Sequence, residues 1–65
     1  MQQHTAPAPL ALTIPDACRR LALSRSKLYE LMKQGELRSF KVGSRTLIPD
    51  ADLVNFVAKR LEASA

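Results

Sequence analysis

The sequence predicts a small α+β fold, mostly α: two helices close together, a two-stranded β-hairpin and a third helix. Three observations carry that expectation. Apolar residues at i, i+3, i+4 and i+7 mark residues 14–21 as helical, and a second apolar cluster starts after a connection of only about three residues. The period then changes in LRSFKVGSRTLIP, residues 37–49, where β-branched, aromatic and aliphatic residues surround Gly43-Ser44. Beyond Pro49 the helical spacing returns. At 65 residues, 46% of them apolar, the chain makes one domain near the lower limit of what a single core can hold together.

Taken in order, residues 1–11 are rich in Gln, Ala and Pro and lack apolar periodicity, so they are expected to form a flexible tail ahead of a domain over 12–62. Thr13 is placed to cap the first helix, with Pro15 in its first turn and Asp16 three residues on, close to a capping box. Ile14, Ala17, Cys18 and Leu21 form its buried stripe, which leaves Arg19 and Arg20 outside and makes Cys18 core filler. The second helix opens at Ser24. Leu23 and Leu28 have the spacing of a hydrophobic staple, Leu28, Leu31 and Met32 share a face, and Gly35 suits a left-handed stop. A link as short as 22–24 forces a sharp angle, as in a helix-turn-helix.

In the hairpin, Phe40 and Val42 are expected to face the core, opposite either Leu47 or Ile48 depending on register. Pro49 ends the second strand and Asp50 is placed to cap the third helix. Leu53, Val54, Val57 and Leu61 form that helix's expected buried stripe, with Phe56 nearer the flank. Residues 63–65 are expected to fray. The tetrapeptide IPDA occurs at 14–17 and again at 48–51, but the residues that follow do not match, so the two copies are separate helix starts rather than a repeat.

Charge is unevenly distributed. Residues 19–45 hold eight cations against Glu30 and Glu36, a balance of +6, whereas the rest of the chain balances at −2. A basic middle of this kind suits a polyanion. No stretch approaches the roughly 20 apolar residues that span a bilayer. The N-terminal residues lack the basic and apolar regions of a signal peptide, and a single cysteine fits a reducing interior, so a cytoplasmic, nucleoid-associated bacterial protein is expected.

Catalysis has little to stand on. Ser24 and Lys27 match an S-x-x-K string, but the chain is too short for the fold that chemistry needs. The one histidine, His4, lies in the tail, far from Cys18, so no triad or zinc site is expected, and no cofactor.

On a helical wheel, Ser26, Glu30 and Lys33 lie almost opposite Leu28, Leu31 and Met32, with Tyr29 on their flank and Arg25 and Lys27 by the helix start. A merely solvated face would more typically carry Glu–Lys pairs four residues apart; this one mixes donors, cations, an aromatic and an acceptor. Lys41, Ser44 and Arg45 add a basic hairpin tip. A short-turned helix pair followed by a basic hairpin predicts a winged helix-turn-helix, whose second helix fits the DNA major groove.

The stretch from Leu12 to Val57 resembles the small excisionase and AlpA-type DNA-binding domains, relatives of the MerR winged helix-turn-helix superfamily. The resemblance rests on T-x-x-[ED]-A at 13–17, S-R-S-x-x-Y-x-L at 24–31, G-E-L at 35–37, K-V-G at 41–43 and R-x-x-I-P-x-x-D-L at 45–53. It implies sequence-specific duplex binding by the second helix and the wing, with no catalytic site. Members act as recombination directionality factors or as transcriptional regulators, often with several copies side by side on repeated sites. A phage-type integrase and further copies of the chain are therefore the implied protein partners, with no membrane and no small-molecule ligand. Lys27 stands where the family commonly has threonine, and Thr46-Leu47 replaces a more basic or aromatic strand. Ser26, Glu30 and Lys33 are the candidates for reading base edges. Arg19, Arg20, Arg25, Lys27, Tyr29, Lys41, Ser44 and Arg45 are the candidates for phosphate or minor-groove contacts. An antirepressor or adaptor docking through the third helix, with Phe56 as its contact, is the competing reading.

Overall fold

A computed structural model describes residues 9–64, so residues 1–8 of the expected tail and Ala65 lie outside the described residues. The order is β1 (Ala11–Thr13), α1 (Ile14–Leu21), α2 (Arg25–Lys33), β2 (Phe40–Val42), β3 (Arg45–Pro49) and α3 (Asp50–Ser64). The strands form one antiparallel sheet in the order β1-β3-β2.

Strand β1 was not expected from the sequence. Leu10, Leu12 and Ile14 alternate with Ala11 and Thr13, a period of two, but the segment is short and follows Ala-Pro repeats. Pairing with β3 is what makes it a strand: Leu12 lies opposite Ile48 and Thr13 opposite Leu47. Both members of the Leu12–Ile48 pair are buried. The clasp continues past the ladder, with the Asp50 N–H donating to the Leu10 carbonyl at 2.8 Å.

The first two helices start as their caps predict, whereas Asp50, placed to cap the third, is instead the first residue inside α3. The Thr13 hydroxyl accepts from the Asp16 N–H at 3.4 Å, and the Ser24 hydroxyl accepts from the Lys27 N–H at 3.2 Å, each satisfying an otherwise unpaired backbone donor. Both helices stop in the same way. The Leu23 N–H donates to the Cys18 carbonyl and the Ala22 N–H to the Arg19 carbonyl; Glu36 and Gly35 repeat the pattern on Leu31 and Met32. These are Schellman stops, which require a left-handed residue. Gly35 supplies it at φ 81° for α2, while at the end of α1 an alanine, Ala22, takes it at φ 58°.

The core is Leu12, Ile14, Ala17, Leu28, Leu31, Leu37, Ile48 and Leu53, with Cys18, Leu21, Leu23, Met32 and Phe56 packed against it. Two expectations about it are corrected. Phe40 and Val42 do not face the core: they are 42% and 57% exposed. The register pairs Phe40 with Leu47 and Val42 with Arg45. Cross-strand partners share a face and successive residues alternate, so these four lie on the side opposite Ile48. On α3, Leu53 is buried as expected, but Val54, Val57 and Leu61 are exposed, and Phe56 is the side chain that packs on the core. The helix is rotated from the expected orientation because Asp52, next to Leu53, is drawn inward by an ion pair.

Candidate nucleic-acid interface

The α2 face that the wheel singled out is open. Arg25, Ser26, Lys27, Tyr29, Glu30 and Lys33 are all exposed, while Leu28 and Leu31 on the other side anchor the helix in the core. The structure therefore brings the three candidate base readers, Ser26, Glu30 and Lys33, to one solvent-facing surface. The buried positions of Leu28 and Leu31 fix how that surface is presented.

Their electrostatics differ. Lys27 Nζ pairs with Glu30 Oε1 at 3.2 Å, three residues apart, so an expected phosphate contact and an expected base reader partly neutralise one another. Arg19 is paired with Asp16, and Arg20 with Asp50 at the start of α3. Among the described residues of α2 and the wing, Arg25, Lys33, Lys41 and Arg45 have no carboxylate partner, as Lys59 on α3 has none. They are the cations an incoming polyanion meets without first breaking an ion pair.

The wing is a two-residue hairpin. Val42 and Arg45 close it, and Gly43 takes φ 62° while Ser44 stays at negative φ, the pattern of a type II′ turn that matches strand twist. Ser44 is exposed at the tip. The two wing cations do not share a face. Lys41 pairs with Thr46 on the side of the sheet that carries Ile48, whereas Arg45 lies with Phe40, Val42 and Leu47 on the outer side. One face of the wing is thus basic and polar, the other basic and apolar.

Sequence reasoning missed the pair that holds the wing to the body. Arg38 lies between α2 and β2. Its guanidinium Nη2 meets Asp52 Oδ1 at 2.7 Å, its Nε meets Oδ2 at 3.0 Å, and its backbone N–H donates to Oδ2 at 2.9 Å. Asp52 is the one buried charged residue among those described. The hydrogen bond from the Arg38 side chain holds its carboxyl below the usual carboxylate range, outweighing the opposing effect of burial, and the Asp52 carboxylate in turn raises the Arg38 guanidinium. A nearby cluster on α3 reinforces the region: the Arg60 guanidinium lies over the Phe56 ring at 4.9 Å and reaches Glu36 at 3.7 Å. The only advance signal was charge: an arginine and an aspartate 14 residues apart, one in a loop and one in the first turn of a helix.

Two helices joined by a three-residue turn, an open polar face on the second and a hairpin behind it define a winged helix-turn-helix. The chain belongs to the helix-turn-helix domain family, which matches it over residues 11–61, and two excisionase relatives make it a small excisionase-type DNA-binding protein. It is 32% identical over 57 residues to an excisionase of Streptomyces ambofaciens, an alignment covering 88% of this chain and 92% of the relative. It is also 32% identical over 53 residues to a probable excisionase of Saccharopolyspora erythraea, covering 82% of this chain but about half, 54%, of that relative. No solved structure matches it. Among the described residues no helix is long and apolar enough to cross a membrane, and no cluster of metal-ligating side chains occurs.

Proposed function

We propose that the chain acts as a recombination directionality factor: it binds repeated sites on duplex DNA, lays α2 in the major groove, and thereby directs a phage-type integrase towards excision. The observation that carries the reading is the α2 face itself. Six outward positions between Arg25 and Lys33 hold polar, charged or aromatic groups, of which only Lys27 and Glu30 pair with each other, on a helix whose opposite side is locked into the core. The capped N-terminus of α2 also carries the positive end of the helix dipole, which favours phosphate.

In this arrangement Ser26, Glu30 and Lys33 meet base edges in the groove. Arg25, Lys27 and Tyr29 contact the flanking backbone. Arg45 and Lys41 engage the DNA from the two faces of the wing, with Ser44 between them, and Arg19 and Arg20 lie further along the backbone. Glu30, held by Lys27, is suited to accept from a cytosine amine, and the pair must open to admit it.

The test has two stages. Gel-shift titration on random duplex in rising salt reads nonspecific binding, and a complete lack of salt-sensitive shift would sink the reading. An excision assay on an integrated element, with its integrase present and this protein added or withheld, then separates a directionality factor from a regulator. Unchanged excision alongside intact DNA binding removes the directionality role.

A further inference from the structure

A recess of about 540 Å³ lies between the C-terminal end of α2 and α3. Its lining is mostly polar. Gln34 and Glu36 come from the α2 end, Asn55 and Lys59 from α3, and the Arg38–Asp52 pair joins the two sides. Asn55 and Lys59 are four residues apart, so they share one flank of α3. Val54 and Val57 lie on the other flank, where they line a separate recess with Arg20 and Leu21 of α1. Gln34 follows Lys33 and stands one turn on from Glu30, so the polar recess opens where the candidate base-reading face ends.

Both carboxylates of the recess are already engaged. Glu36 pairs with Arg60, and Asp52 holds Arg38 through Nε and Nη2. That grip leaves both N–H groups of Arg38 Nη1 without an acceptor among the described residues, on a side chain that is largely exposed. Lys59 is exposed and has no carboxylate partner. The recess therefore offers one uncompensated cation, a guanidinium edge held in place by a buried carboxylate, and two side-chain amides. Such donors suit an oxyanion. One uncompensated positive charge matches a phosphodiester, which carries one negative charge, better than a phosphomonoester with about 1.5–2.

We infer that this recess is a further contact for the DNA backbone, in which Lys59 and the free edge of Arg38 hold a phosphate beyond the end of α2. The inference rests on the duplex binding proposed above and brings α3 into that contact. The N-terminus of α2 attracts a phosphate through its helix dipole, but the C-terminal end of the dipole repels one. A phosphate held past that end therefore needs side-chain cations, and Arg38 and Lys59 are placed there by a loop and by a neighbouring helix. With a phosphate held at each end, α2 is fixed along the groove as well as within it. The contact reads no base, so it acts alike on every sequence.

Gel-shift titration of random duplex in rising salt reads the contact, with each variant checked for an intact fold by circular dichroism. Lys59→Ala should lower the salt slope by about one unit, and Lys59→Arg should keep it. Val54→Glu changes the net charge by the same amount on the opposite flank of α3 and should leave the slope unchanged. Equal falls in Lys59→Ala and Val54→Glu would overturn the contact, because net charge alone would then explain both. The double variant Arg38→Gln with Asp52→Asn keeps the net charge and an acceptor for the residue 38 backbone N–H. It should also lower the slope, and an unchanged slope would overturn the part given to Arg38. Inorganic phosphate tests the other source of the same chemistry. Saturable amide shifts at Gly35 and Lys59 with phosphate alone, beside an unchanged slope in Lys59→Ala, would assign the recess to a small phosphate ligand and overturn the backbone contact. If the unmutated protein shifts duplex and Lys59→Ala keeps its full slope, the contact fails by itself. If the unmutated protein shifts no duplex, the duplex reading fails and this contact with it.

Discussion

Replacing Asp52 with alanine removes the carboxylate that accepts both the Arg38 guanidinium and the Arg38 backbone N–H. The two losses differ in size. The guanidinium is 77% exposed and regains water at once, so what its loss costs falls on the buried Asp52 carboxylate that it holds. The backbone N–H is part-buried and has no alternative partner, and a hydrogen bond to a charged acceptor in that setting contributes about 1.5–3 kcal/mol. Asp52→Ala is therefore expected to destabilise the fold by about 2 kcal/mol, which in a domain this small lowers Tm by about 10 °C. Thermal melts followed by circular dichroism measure it, with Arg38→Ala beside it: that variant keeps the backbone N–H bonded but leaves the buried carboxylate without its guanidinium, so both should lose stability, Asp52→Ala the more. If Arg38→Ala melts as low as Asp52→Ala, the backbone bond is not what ties the wing to α3. The pair also fixes a pH signature. The Asp52 carboxyl is depressed in the folded state, so its stabilisation is complete above the ordinary carboxylate range near pH 4 and is lost as pH falls through the depressed folded value. Acid titration of Asp52→Asn should lack that part of the transition.

The two Schellman stops make a matched pair of tests. Ala22→Gly relieves a left-handed alanine and should stabilise by up to about 1 kcal/mol, while Gly35→Ala imposes the same strain and should destabilise by about 1 kcal/mol, both read from urea midpoints. A β-carbon at Gly35 would meet no atom within 4 Å, so a much larger loss there would contradict a purely conformational account. On DNA, Arg45→Ala should weaken all duplexes alike and reduce the salt slope by about one unit, whereas Lys33→Ala should weaken the specific site more than random duplex. Equal losses on the two duplexes would remove Lys33 from the base readers. Glu30→Gln frees Lys27 and should tighten nonspecific binding; unchanged affinity would mean the pair is already open in the complex.

Local rules reached much of this fold. Thr13 and Ser24 cap the helices they were expected to cap, the turn between them is 22–24, and Leu28 and Leu31 are buried because a stripe at helical spacing has only one core to face. The hairpin turn was legible because glycine tolerates positive φ, but its facing was not. A shift of one residue exchanges the two sides of a strand, and nothing local distinguishes Leu47 from Ile48; the choice came from Leu12 on β1, 36 residues earlier. On α3 the apolar stripe misled because it is real but external. Leu53 can face inward with either Val57 or Phe56, and the Arg38–Asp52 pair selects Phe56. The candidate DNA face was legible because polar side chains on a helix that is anchored elsewhere need no tertiary partner to be placed.

The clasp of β1 on β3 has a kinetic meaning. Leu12 cannot meet Ile48 until the chain between them has closed a loop, and that loop contains both helices of the reading head and most of the wing. Ile14, Leu28 and Leu31 of the helix pair share one buried cluster with Leu12 and Ile48, so neither part has a core of its own to fold around. Recognition helix and wing are therefore expected to form and melt in one step, and no partly folded form offers DNA an α2 without its hairpin.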